Sequence, residues 1–339
     1  MKSIIILDLL EEFFNEHMKS RKHASPHTIA SYSDTFQLIL QYAFKKLKKK
    51  PPELTINDFN AQFLCDFLAD QEECRKICAR TRNARLVAIR SFFRYFSYRL
   101  LESGSLINEV LAIPEKRMDQ KLIDFLTKEE VDALLKAPNQ KTWIGKRDHV
   151  FLIVAIQTGM RLAELTALKW ENVHLGQGAS IECLGKGRKN RSTPLSKEAI
   201  NCLFLWSKEL DSAASNIVFP TIHGCRMSSD SVQYMLKKNT IIAAKHCSSL
   251  TSKKITPHVL RHTTAMRLVQ CGIDLPSIAL WLGHESIKTT YVYLRADIEM
   301  KERILKKAPP LNTKTSRYKP NDKTMSFLKK LSNPNKDIK

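Results

Sequence analysis

Residues 256–294 read TPHVLRHTTAMRLVQCGIDLPSIALWLGHESIKTTYVYL, and their interpretation decides the fold of the chain. Thr256 followed by Pro257 is a helix start: threonine can cap the first free N–H groups, and proline suits the first turn. On that helix His258 and Arg261 stand three apart and share a face. Gly272 stops it, a second helix opens at Pro276, and Gly283 stops that one. His258 and His262 have the spacing of a zinc protease, but Val259 occupies the position where that motif needs a glutamate base. What remains is a ridge presenting an imidazole and a guanidinium to one anion. Tyr291 and Tyr293 follow, about 200° apart around a helix, so only one can face that anion.

Working outward, the apolar run 150–156 predicts a buried helix that ends at Gly159, followed by Met160-Arg161-Leu162-Ala163-Glu164-Leu165. Residues 179–184 and 191–195 read as a β-hairpin, with the basic tip Gly185-Lys186-Gly187-Arg188-Lys189-Asn190 between them. Taken singly these residues are bland: an arginine after glycine or a lysine in a turn is usually a solvated charge.

As an ordered set they are not. Thr158 to Leu165, Gly185-Lys186-Gly187, the His258-Val259-Leu260-Arg261 box, and Leu282-Gly283-His284 with Tyr293 nine residues on resemble the tyrosine recombinase (phage integrase) family in order and spacing. The resemblance is firm over about residues 120–305 and looser before them. It implies a mainly α fold with a small antiparallel β-sheet, a helical core-binding bundle and a catalytic domain that together clamp duplex DNA. It also implies six catalytic residues: Arg161, Lys186, His258, Arg261, His284 and Tyr293. The implied activity is site-specific strand exchange through a 3′-phosphotyrosyl intermediate. Leu294-Arg295 departs from the threonine-histidine common after the tyrosine in Xer-type members, although the length resembles Xer-type and transposon-borne recombinases, with no arm-binding domain expected ahead of the bundle.

Elementary chemistry agrees with those roles. A phosphodiester under attack gathers charge on its non-bridging oxygens, which the forked donors of Arg161 and Arg261 can stabilise. A tyrosine hydroxyl has a pKa of about 10 and needs a base or a cationic site, which His258 and the arginines can supply. The departing 5′ oxygen needs a proton, which the ammonium of Lys186 can give, while His284 adds a hydrogen bond. Glu164, three residues after Arg161, can orient a catalytic arginine or histidine. A covalent intermediate conserves the bond energy, so no cofactor is expected. Neither a phosphate-binding GxxxxGK[ST] loop nor a two-metal carboxylate cluster is found in the sequence.

Composition fits a polyanionic partner: 55 Lys and Arg against 34 Asp and Glu give a formal charge of +21. No apolar run approaches the ~20 residues of a spanning helix, and MKSIIILDLLEE is no signal peptide, so a soluble cytoplasmic protein without membrane contact is expected. The eight cysteines lack CxxC pairs and should be reduced. Cys74 and Cys78 are predicted on one helix face, without a second pair of metal ligands.

Apolar spacing predicts four amphipathic helices in residues 1–112: through Leu7 and Met18, through Ile29 and Ala43, from Thr55-Asp58 through Phe67, and through Leu86 and Leu100. No acid falls between Glu73 and Glu102, where Arg75, Lys76, Arg80, Arg82, Arg85, Arg90, Arg94 and Arg99 form a predicted DNA-facing edge, joined by Arg188 and Lys189 of the hairpin tip. Residues 113–121 read as a linker, 122–308 as the catalytic domain with a capping box at Thr127 and Glu130, and 309–339 as a basic tail, with a short helix near Phe327.

The expected partners are double-stranded DNA carrying two recombination sites, a homotetramer in synapsis, and an accessory recombinase or element-encoded protein. Two rival functions stay open at this point. One is type IB topoisomerase-like relaxation. The other is a DNA-binding regulator without catalysis, against which the intact set of six residues argues.

Overall fold

The computed structural model describes residues 5–118, 123–184, 190–210, 216–283, 290, 291 and 293. Lys186, Arg188, Lys189, His284 and the tail 309–339 lie outside them. The chain forms two compact units, Met1–Lys121 and Leu122–Lys339.

The first unit is helical: α1 (Ile6–Glu12), running on as a π-helical stretch to Arg21, then α2 (Pro26–Leu47), α3 (Ala61–Arg75), α4 (Ala79–Phe96) and α5 (Gly104–Ala112). Ser25 caps α2 and Pro26 occupies its first turn, as the local signals require. Phe13, Phe36, Phe92 and Phe96 meet in an aromatic core, each ring edge or tilt against the next.

Four expectations change here. The Thr55–Asp58 box opens only a short 3-10 turn, and α3 starts later, with Asn60 accepting from Phe63 N–H at 2.9 Å. α5 is a further helix, buried through Ile107 and Val110. The predicted linker begins fastened: Asn83 exchanges two hydrogen bonds with the Lys116 backbone, at 2.8 and 3.0 Å. Cys74 and Cys78 share no helix face, because Lys76 at φ 50 ends α3 and Cys78 is the N-cap of α4.

The second unit holds α6 (Lys128–Lys136), α7 (Trp143–Thr158), α8 (Leu162–Thr166), β1 (Val173–His174), β2 (Ser180–Leu184), β3 (Asn190–Pro194), α9 (Lys197–Lys208), α10 (Ser229–Ala244), α11 (Pro257–Gln270) and α12 (Leu275–Leu282). The fold is mainly α with one small antiparallel sheet, in the order β1-β2-β3. β1 adds a strand to the predicted hairpin, pairing Val173 with Ile181.

α7 is buried almost all round, from Val150 to Ile156, as a central core helix must be. α11 packs across it, with Thr264 Oγ1 donating to Ile156 O at 2.7 Å. The Thr127–Glu130 capping box forms, and buried Glu130 also accepts from Lys253 and Ser249, tying the start of α6 to the segment that leads into α11. α12 starts one residue before Pro276, with Asp274 as its N-cap.

Candidate active site

Two helix ends create the site. α7 ends at Gly159 with φ 62, and α12 ends at Gly283 with φ 65. Both are left-handed conformations that a side chain resists. Space is tight as well: a Cβ on Gly159 would come within 2.5 Å of the Leu282 side chain, and one on Gly283 within 2.3 Å of the Arg191 guanidinium, so those side chains would have to shift. Carbonyls at helix C-termini lack intrahelical partners and carry partial negative charge, so they attract cations.

The cations are the two arginines. Arg261, only 6% exposed on α11, donates to Gly159 O and to Leu282 O, both at 2.7 Å. Burial, with Arg161 and Arg191 nearby, pushes its pKa down to about 10, which still leaves it charged at neutral pH. Arg161 is the N-cap of α8 and donates to Gly283 O at 2.7 Å and to Glu164 Oε1 at 3.0 Å. A guanidinium has five N–H donors, so such bonds fix the fork and leave donors over for a ligand.

Glu164 is the junction. It accepts the Arg161 backbone N–H at 2.8 Å and both Nη groups of Arg191, at 2.8 and 3.3 Å. Burial alone would raise its carboxyl, but the Arg161 N–H and the charge and hydrogen bonds of Arg191 and Arg161 hold it below the ordinary carboxylate value. Sequence reasoning missed Arg191. The signal was there: strand alternation puts Arg191 on the same face of β3 as buried Thr193, opposite Cys183, and an inward guanidinium requires a buried acid.

Arg161, His258 and Arg261 line one cavity of 330 Å³, together with Leu162, Ser229, Gln233, Thr256 and Pro257. Thr256 caps α11 through Val259 N–H, which places His258 in the first turn and Arg261 one turn on. Tyr291 is 55% exposed, whereas Tyr293 is 2% exposed, packed with Ala265, Met266, Val269, Ile278 and Leu282. Its hydroxyl lies 2.9 Å from His262 Nδ1. Burial raises the phenol above its usual value, and the charge of Arg261 opposes that. His262 is the second residue missed, seen in the sequence only as half of a metal-like spacing.

On the helical unit the expected DNA edge divides. Arg75, Lys76, Arg80, Arg94 and Arg99 are exposed. Arg82, Arg85 and Arg90 turn inward: Arg82 to Glu72 and Pro114 O, Arg85 to Gln71 Oε1 at 2.6 Å, and Arg90 to Glu115 and Ile113 O. The reason is geometric, since α4 buries Leu86, Ile89 and Phe93, and arginines beside that stripe fall inside the bundle.

Residues 124–300 match the phage integrase family, and residues 10–99 match the phage integrase N-terminal SAM-like domain. The y4rC protein of Sinorhizobium fredii, named as an integrase/recombinase, is 47% identical over 97% of this chain and 99% of its own length. Tyrosine recombinase XerC of Chlamydia muridarum is 30% identical, over 88% of this chain and 97% of its own. Among solved structures, XerH site-specific recombinase bound to its palindromic difH substrate in a post-cleavage complex shares the fold, with a TM-score of 0.69, at 22% identity over 88% of this chain and 87% of the other. By sequence over nearly its whole length, and by fold, the chain belongs to the phage integrase family of tyrosine recombinases.

Proposed function

We propose that this protein is a site-specific DNA recombinase that cuts and rejoins strands through a bond between Tyr293 and a 3′ phosphate. The observation that carries the reading is the convergence of Arg161, His258 and Arg261 on a single cavity, with Tyr293 held on the same helix system through His262. The cavity takes the scissile phosphate. The two guanidiniums, fixed by Glu164 and by helix-end carbonyls, face its non-bridging oxygens, where charge grows in the transition state. Because these donors are oriented before DNA arrives, little reorganisation is needed during the reaction. Lys186 protonates the departing 5′ oxygen, and His284 adds a hydrogen bond to the phosphate. Glu164 positions Arg161.

The exposed cations of the first unit, Arg75, Lys76, Arg80 and Arg94, meet the DNA backbone, and the hairpin tip with Arg188 and Lys189 adds to that contact. Exchange between two duplexes breaks four strands. With one nucleophile per chain, four copies must assemble, so the synaptic complex is a tetramer on two sites. An accessory recombinase or element-encoded protein could complete it. The DNA it acts on places its work in the cytoplasm; no helix among the described residues is long and apolar enough to cross a membrane.

The test is exchange between two duplexes bearing DNA that flanks the reading frame. Joint molecules of the two duplexes support recombination. Relaxation of supercoils without joint products would assign topoisomerase action, and binding without cleavage a regulator.

A further inference from the structure

We infer that His262 receives the phenol proton of Tyr293 as the tyrosine attacks, a role that rests on the reading of Tyr293 as the nucleophile. The His262 Nδ1 to Tyr293 Oη distance of 2.9 Å is a hydrogen bond, and the rings meet edge to face at 5.6 Å. Proton transfer to a base requires a separation of roughly 2.6–3.2 Å. No such bond links His258 to the phenol among the described residues: His258 is exposed and lines the phosphate cavity one turn earlier on α11, its ring 6.5 Å from that of His262. Arg261 has no lone pair with which to accept.

The groups around His262 keep it able to accept. Burial first, then His258 and Arg261, lower its pKa from the usual histidine value, and only Asp124 acts the other way. The imidazole is therefore neutral at pH 7. With its ring proton on Nε2, Nδ1 presents a lone pair to the phenol. Arg261 also favours the phenolate that develops, since its charge lowers the phenol pKa.

The step balances. The Oη–H bond breaks, and its proton passes to Nδ1. The Oη–phosphorus bond forms as the bond from phosphorus to the 5′ oxygen breaks, and the leaving oxygen takes a proton from the Lys186 ammonium. Religation runs the same transfers backward, so imidazolium and amine return to their starting forms. His258 is thereby left to serve the phosphate.

The experiment is single-turnover cleavage of a nicked suicide duplex by the full chain, with duplex affinity measured in parallel. His262→Ala is expected to bind DNA like the parent and to form adduct about 10²–10⁴-fold more slowly, the usual range for a lost general base. His262→Asn keeps a side-chain polar atom near the position of Nδ1 but has no basic nitrogen, so it should cleave about as slowly as His262→Ala. A substrate with sulfur replacing the 5′ bridging oxygen needs no acid. It should rescue Lys186→Ala and leave His262→Ala slow. His262→Ala cleaving within about threefold of the parent, or rescued by sulfur, would overturn the inference. Should His262→Ala fail to fold, His262→Asn decides, and cleavage by it within about threefold of the parent would overturn the inference. Tyr293→Phe runs alongside: an adduct in that variant would remove the nucleophile reading itself, whereas a dead Tyr293→Phe beside a fully active His262→Ala would remove only the role of His262.

Discussion

Glu164 shows how much one side chain can organise. It sits nearly buried between Arg161, which is a third exposed, and Arg191, whose side chain is buried, so the Arg191 guanidinium above all depends on it for neutralisation. Breaking a buried ion pair by removing one partner costs about 3–5 kcal/mol, because the remaining charge stays buried and uncompensated. Glu164→Gln should therefore lower stability in urea titrations by about 3 kcal/mol at pH 7 and should slow cleavage more than it weakens DNA binding. The pH dependence has a definite sign. The carboxyl titrates lower in the folded chain than in the unfolded one, so its contribution is complete above the ordinary carboxylate pKa and fades as pH falls through the folded value. The parent and Glu164→Gln should thus converge in stability on acidification below about pH 4. A gap that widens there would show that the carboxylate is not held by its arginines.

At the scale of elements, the two left-handed helix ends are the parts least open to change. Gly283→Ala would adopt φ 65 at a cost of about 1–2 kcal/mol and would also push its methyl into the Arg191 guanidinium. We expect a lower Tm together with slower cleavage, since Arg161 bonds to the carbonyl of that residue. A variant with unchanged Tm would mean that the corner has room. α4 gives a second contrast. Arg80→Ala and Arg94→Ala should weaken DNA binding and each reduce the log–log salt slope by about 0.9. Arg85→Ala should leave the slope unchanged and instead destabilise the bundle by about 1–3 kcal/mol, because Gln71 loses its buried partner. Equal salt slopes for Arg80→Ala and the parent would remove that face from the DNA contact.

The same contrast explains what could be read from sequence. Helix starts at Thr127 and Thr256 are legible in the sequence, because each cap and its target N–H lie within three residues. The inward turn of Arg85 was not, since its partner Gln71 lies on another helix, and α5 was missed because nine residues give a weak period. The bond between His262 and Tyr293 spans 31 positions, which no local pattern encodes.

For the whole molecule, charge and fold serve one reaction. The net charge of +21 suits a polyanionic partner, and on the proposed reading the chemistry of the second unit lies in one cavity whose cations are held by helix ends and one carboxylate. If guanidinium and ammonium groups meet the developing negative charge as proposed, strand cleavage should continue in excess chelator. A requirement for divalent metal would reject this account of the charge stabilisation. The most direct measurement is to trap the denaturant-resistant protein–DNA adduct on a suicide duplex in chelator, digest it, and identify by mass spectrometry the peptide that carries the nucleotide. A phosphodiester on Tyr293 is expected, present in the parent and missing from Tyr293→Phe. A nucleotide mapped to Tyr291 or to any other side chain would contradict it.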